Sequence, residues 1–187
     1  MKFEYARISD LLFQQEYPLQ RIQEYVEMAA YSIIAFSLPF LLGHEQLLVG
    51  AVVNCALVLA ALNLKGARLL PVIILPSIGA YLAGLIFGVA STALLYMIPF
   101  IWAGNAMLVL CIKYLMLDKK TNRAAALGIG ATAKAVFLFL SAFALLSFAM
   151  VPAAFLTAMG IFQLATALLG GAAALGIQMA KKRLAAA

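Results

Sequence analysis

Apolar residues along this chain fall into six long runs, at about 26–43, 46–64, 69–88, 91–117, 124–148 and 152–179. Each is long enough for a helix to cross a bilayer, which takes roughly 17–25 residues. The breaks between the runs are short: Gly43-His44-Glu45, Lys65-Gly66-Ala67-Arg68, Gly88-Val89-Ala90-Ser91, Asp118 to Arg123, and Ala149-Met150-Val151-Pro152. Ahead of the first run, Ile8, Leu11, Leu12 and Phe13 share a helical face opposite Asp10, Gln14 and Gln15, the pattern of a short helix lying at the headgroup level. Pro18 suits the first position of the helix that follows, where its missing N–H has no intrahelical partner to lose. The pattern predicts an all-α integral membrane protein. Its single six-helix transmembrane domain covers 26–180, between an interfacial N-terminal segment 1–25 and a basic tail 181–187.

Charge gives the bundle an orientation. Every other break is basic. With the N-terminus inside, the inner ends hold Lys2, Arg7, Arg21, Lys65, Arg68, Lys113, Lys119, Lys120, Arg123, Lys181, Lys182 and Arg183, twelve of the 13 Lys and Arg residues, and the outer loops hold none. That asymmetry predicts both termini in the cytoplasm of a cell with the chain in its plasma or inner membrane. It also accounts for the net charge of +6 without nucleic acid as a partner. The composition agrees, with 66% hydrophobic residues, 11% charged and a mean hydropathy of +1.06. The first 27 residues have no apolar run fit for a signal peptide, so no cleavage is expected.

Polar residues inside the spans are the candidate chemistry. Lys134 has only apolar or small residues around it from Ala124 to Met150 and sits roughly 15 Å from the inner end of its span. An ammonium at that depth costs about 2.5–3.5 kcal/mol on insertion scales. No acidic residue is expected inside any span, which leaves it no internal ion pair. Its relief must come from neutral dipoles, water, deprotonation or a bound anion. Asn54, Ser77, Asn105 and Gln163 lie within about 8 Å of the midplane in four other spans. Two readings stand: hydrogen-bonding glue between helices, worth about 0.6–2 kcal/mol per residue, or a ligand site containing at least three of them. Pro39, Pro76 and Pro99 free backbone carbonyls that a cavity, a neighbour or a ligand must satisfy.

Tyr96, Phe100 and Trp102 line the outer half of the fourth span, Tyr96 placed for an interfacial belt and Trp102 too deep for one. Trp102 is thus a candidate for stacking on the flat part of a ligand. Small residues recur every four positions at Ala80, Gly84 and Gly88 and again at Ala172, Gly176 and Ala180, faces suited to close packing inside the bundle or against another membrane subunit. His44 and Glu45 are the ionisable pair of one outer loop, and two adjacent ligands alone make a poor metal site. No phosphate loop, nucleophile elbow or HExxH pair is present, and one histidine excludes haem held by two. Cys55 and Cys111 are too few for a structural zinc or iron–sulfur site. No catalytic residue, metal or cofactor is therefore expected.

Gly50-x-x-x-Asn54, Pro76-Ser77 and the run Ile98-Pro99-Phe100-Ile101-Trp102-Ala103-Gly104-Asn105, set in six short-looped spans, resemble the substrate-binding S components of energy-coupling factor (ECF) transporters, from about 26 to 180. The family's Ala-x-x-x-Ala motif of the first span is absent, Ala29, Ala30 and Ala35 being spaced differently. The resemblance implies a prokaryotic subunit that binds a vitamin-like micronutrient for uptake and partners a transmembrane coupling subunit and two cytoplasmic ATPases. Lys134, Asn105, Trp102, Asn54, Gln163 and Ser77 are then the expected substrate-binding residues. The same stretch is similar to small membrane proteins labelled iron hydrogenase, a chemistry two cysteines in apolar runs do not support. The alternatives are a structural or assembly subunit of a membrane complex, or a small lipid-handling membrane enzyme.

Overall fold

Apolar runs this long leave their backbone groups no partner but each other, so they fold as helices. The computed structural model describes residues 9–42, 45–86 and 92–186. Helix α1 spans Arg21–Leu42, α2 Gln46–Asn63, α3 Leu69–Ile86, α4 Thr92–Ile112, α5 Arg123–Ser147, α6 Ala154–Met159 and α7 Ile161–Ala186. Six of the helical segments are long and apolar enough to cross a membrane, and this is a multi-pass membrane protein; α6 and α7 together make the sixth span. Successive spans run in opposite directions. The end where α1 starts and α2 finishes gathers Lys65, Arg68, Lys113, Arg123 and Lys181 and is called the basic end below.

Helix α2 is the axis of the bundle. Its residues Ala56 to Asn63 are all buried, and it packs on α1, α3, α4 and α7. Its tightest seam is with α7, where a Cβ on Gly170 would stand 2.1 Å from the Ala51 carbonyl oxygen. Helices α1 and α3 meet as closely at Gly79, whose Cβ would stand 2.2 Å from the Phe36 carbonyl. Large apolar side chains on the outer surfaces, such as Ile129, Val136, Phe139, Leu140 and Phe143 of α5, are exposed, as a lipid-facing wall requires.

Several boundaries differ from the sequence reading. Helix α1 starts at Arg21, five residues before the expected 26, because Gln23 at its third position accepts the Gln20 N–H at 3.1 Å, half of a capping box. Pro18 stays outside it. The early start adds Glu24 to the first turn, and Glu27 already lies within the run from 26, so the expectation of no acidic residue inside a span is wrong. Arg68 and Lys65 pair with Glu24, and Lys181 pairs with Glu27 at 2.7 Å. Of the described residues ahead of α1, 9–13 are helical and Gln14 to Gln20 form an irregular strap across the basic end. Leu12 packs on the core and Phe13 lies over Gly66, a glycine at φ +57°. Gln15 faces inward, donating to the Asn63 carbonyl at 2.6 Å and to Glu24, so the expected polar face is partly buried. At the other terminus α7 continues helical through Lys181, Lys182 and Arg183 to Ala186.

The small-residue faces also sort differently. On α7 the buried small residues are Ala167, Gly170, Gly171 and Ala174, while Ala172, Gly176 and Ala180 are exposed and a Cβ on Gly176 would meet nothing within 4 Å. On α3 the close approach is at Gly79; Ala80 is half-buried, and Gly88, like His44, lies outside the described residues.

Candidate functional site

Asn54 lies one helical turn below Gly50 on α2, and its amide nitrogen donates back to the Gly50 carbonyl at 2.9 Å. That bond turns the amide toward α7, where the same nitrogen reaches the Thr166 hydroxyl at 3.1 Å. Gly50 leaves room for this contact, since a Cβ there would stand 2.8 Å from the Thr166 methyl carbon. Thr166 in turn donates to the Phe162 carbonyl at 2.8 Å, the back-bond that lets a hydroxyl sit in an apolar helix. The Asn54 carbonyl oxygen is left facing α5 and accepts from the Lys134 ammonium at 2.7 Å.

Lys134 is 2% exposed, and Asn54 is its one hydrogen-bond partner among the described residues. The nitrogen carries three N–H donors, so a single neutral oxygen satisfies it only in part. Glu24 and Glu27 are engaged with Lys65, Arg68 and Lys181 at the basic end. The centre of the bundle thus contains a lysine amine whose one described partner is a neutral amide oxygen.

A second polar group sits beside Pro76 within α3. Pro76 lacks the N–H that would complete the preceding turn, and the carbonyls around it are served from α4 instead. Asn105 donates to the Ile73 carbonyl at 2.9 Å, and the Trp102 indole N–H donates to the Ile74 carbonyl at 3.2 Å and to the Ser77 hydroxyl at 2.8 Å. Trp102 is therefore tied to α3 by its polar edge. Asn105, 1% exposed, keeps a carbonyl oxygen with no donor among the described residues.

The six expected residues thus divide. Lys134 and Asn54 come together across α5 and α2, and Asn105, Trp102 and Ser77 come together across α4 and α3. Gln163 is half-buried on α7, contributing its backbone carbonyl to Thr166 at 3.3 Å. Thr166 was not anticipated, because one threonine in an apolar helix carries no signal in the sequence. Asn63 and Gln178 were missed too: at the basic end Gln178 donates to Asn63 at 2.8 Å, and Asn63 donates to Glu27 and Tyr31 at 2.9 and 3.1 Å. Among the described residues no group of three or more His, Cys, Asp or Glu is placed to hold a metal ion. No protein-family model, curated protein or solved structure matches this chain.

Proposed function

We propose that the chain is a membrane-embedded substrate-binding subunit for uptake of a small micronutrient, vitamin-like and anionic, similar in kind to the S components of ECF transporters, and that it is not an enzyme. The observation that carries this reading is Lys134, a buried ammonium with one neutral partner among the described residues. An anionic group on a ligand supplies what this cation lacks, because charge-assisted hydrogen bonds gain strength in a water-poor site. The unpaired oxygen of Asn105 and the half-buried amide of Gln163 are further groups for orienting such a ligand, with Asn54 holding the ammonium in place. In this reading the basic end faces the cytoplasm of a plasma or inner membrane, and a transmembrane coupling subunit with cytoplasmic ATPases drives uptake. In a background without Cys55 and Cys111, single cysteines at Gly43 and at Met150, which is exposed in the loop between α5 and α6, should react with an impermeant thiol reagent added outside the cell. Protection of both would place the basic end outside.

Exchange of Lys134 for methionine tests the site. The variant keeps the side-chain length, removes a costly buried charge and leaves the Asn54 oxygen without a donor, so opposing effects keep the net change in stability small. Affinity for the small molecule that co-purifies with the protein, identified by mass spectrometry, should fall about tenfold to a hundredfold, the value of one charge-assisted contact. Thermal unfolding in detergent with and without that molecule reads both. A variant that melts earlier yet keeps the full ligand-induced shift would make Lys134 structural.

The geometry of α3 and α4 favours a second reading. Trp102, Asn105 and Ser77 already bind α3 and α4 together around Pro76, the behaviour of packing glue, and Ala172, Gly176 and Ala180 of α7 face outward. A structural or assembly subunit would show both. It would co-purify with a membrane protein partner and with no small molecule.

A further inference from the structure

Under the strap at the basic end lies a cavity of about 340 Å³ with Gln14 and Glu16 on one side, Lys120 and Arg123 on another, and Leu62 and Met116 among its apolar walls. Two buried side-chain oxygens there have no donor among the described residues, Gln14 Oε1 and Glu16 Oε2. Glu16 uses its other oxygen for Arg123 and for the Tyr17 hydroxyl at 3.3 Å. The strap cannot simply turn these groups away, because its backbone is fixed: the Gln14 carbonyl accepts from Lys113 at 2.6 Å and the Glu16 N–H donates to Leu62 at 2.8 Å. Lys120, held at φ +52° in the turn before α5, is exposed and has no anionic partner among the described residues.

The cavity therefore presents unfilled acceptors and an unneutralised cation side by side. A plain cation would suit the two oxygens and be repelled by Lys120 and Arg123. A plain anion would suit the cations, meet the Glu16 carboxylate and leave both oxygens without donors. A ligand that carries an N–H donor and an anion a few bonds apart answers both. The cavity also lies where α2, α4 and α5 reach their basic ends, the level at which lipid phosphates sit, and its apolar walls suit the chain below a headgroup.

We propose that this cavity binds a primary amine joined to a phosphate, as in the head of an aminophospholipid, with the ammonium donating to Gln14 Oε1 and Glu16 Oε2 and the phosphate facing Lys120 and Arg123. The inference is independent of any ligand at Lys134.

Native mass spectrometry of the full chain in detergent, with added phosphatidylethanolamine, phosphatidylcholine or phosphatidylglycerol, tests it. Phosphatidylcholine has the same phosphate and positive charge but no N–H, so ethanolamine lipid should be retained about tenfold better, the value of a hydrogen bond to a charged group. Gln14→Leu and Lys120→Met remove side-chain groups without protein partners among the described residues, so both variants should stay folded by circular dichroism. Gln14→Leu should bring the two lipids close to parity, and Lys120→Met should weaken retention of both. Competition by soluble phosphoethanolamine would identify a free zwitterion as the source of the same chemistry; its failure to compete would identify the lipid. Equal retention of the ethanolamine and choline lipids by the unmodified protein, stronger retention of phosphatidylglycerol, or binding unchanged by both substitutions would overturn the proposal.

Discussion

Valine in place of Gly170 should prevent the bundle from assembling, whereas valine in place of Gly176, two turns further along the same helix, should leave it intact. At Gly170 the added Cβ would stand 2.1 Å from the Ala51 carbonyl oxygen and 2.7 Å from the Cys55 backbone nitrogen. Neither atom can rotate away. Overpacking that side chains can absorb costs about 1–3 kcal/mol; here two helix backbones must separate, so the cost should exceed that range. The separation would also stretch the Asn54–Thr166 bond on the same seam. At Gly176 nothing lies within 4 Å. Both variants carry the same β-branched side chain in a helix, so intrinsic propensity is matched. Size-exclusion profiles and melting temperatures in detergent read the difference. Equal behaviour of the two variants would mean that α7 does not meet α2 along this face.

Lys113→Met should lower stability by about 3 kcal/mol and release the N-terminal strap before the rest of the protein unfolds. Lys113 is completely buried at the start of a widened turn, Lys113–Asp118, that ends α4. Its ammonium donates to the Gln14 carbonyl at 2.6 Å and to the Leu64 carbonyl at 2.9 Å. Leu64 follows α2 directly, so Lys113 caps the central helix and pins the strap with one group. Each hydrogen bond to a charged group contributes roughly 1.5–3 kcal/mol, and the carbonyls left behind stay buried, while relief of the desolvated ammonium offsets part of the loss. Hydrogen exchange at the Glu16 amide, which bonds to Leu62 at 2.8 Å, should accelerate more than exchange within α2. Lys119→Met is the control: Lys119 is exposed, its nearest carboxylate is Asp118 at 3.9 Å, and its loss should change little. A Lys113 variant as stable as the Lys119 variant would rule out the capping role.

The six spans could be read from hydropathy because lipid imposes a length and an apolar composition on each. Charge misplaced the first boundary: Glu24 looks like a headgroup residue until Lys65 and Arg68, far along the chain, are known to neutralise it inside the bundle. Pro76 announced a disturbed helical turn, but only the fold shows that Asn105 and Trp102 of the next span donate to the Ile73 and Ile74 carbonyls beside it. A four-residue repeat of small side chains fixes a face of a helix without saying which neighbour it meets. On α7 the repeat at Ala172, Gly176 and Ala180 is the outward face, and the adjacent Gly170 and Gly171 form the seams. Lys134 stood out because its cost in lipid is intrinsic, while Thr166, which bonds to Asn54 and not to Lys134, did not, since a hydroxyl bonded to its own helix is nearly neutral there.

The seam between α2 and α7 joins the second span to the last, and this sets the order in which the protein can be completed during synthesis. Until α7 leaves the ribosome, Gly50, Ala51 and Cys55 have no helix against them and Asn54 has no Thr166. Glu27 likewise waits for Lys181, and Asn63 for Gln178. Local pairs such as α4 with α5 can form early, but the central helix stays open to lipid on one side through most of translation. A chain that stops short of residue 160 is therefore an unfinished molecule with an unfilled slot at its axis, a substrate for membrane quality control in place of a smaller working protein.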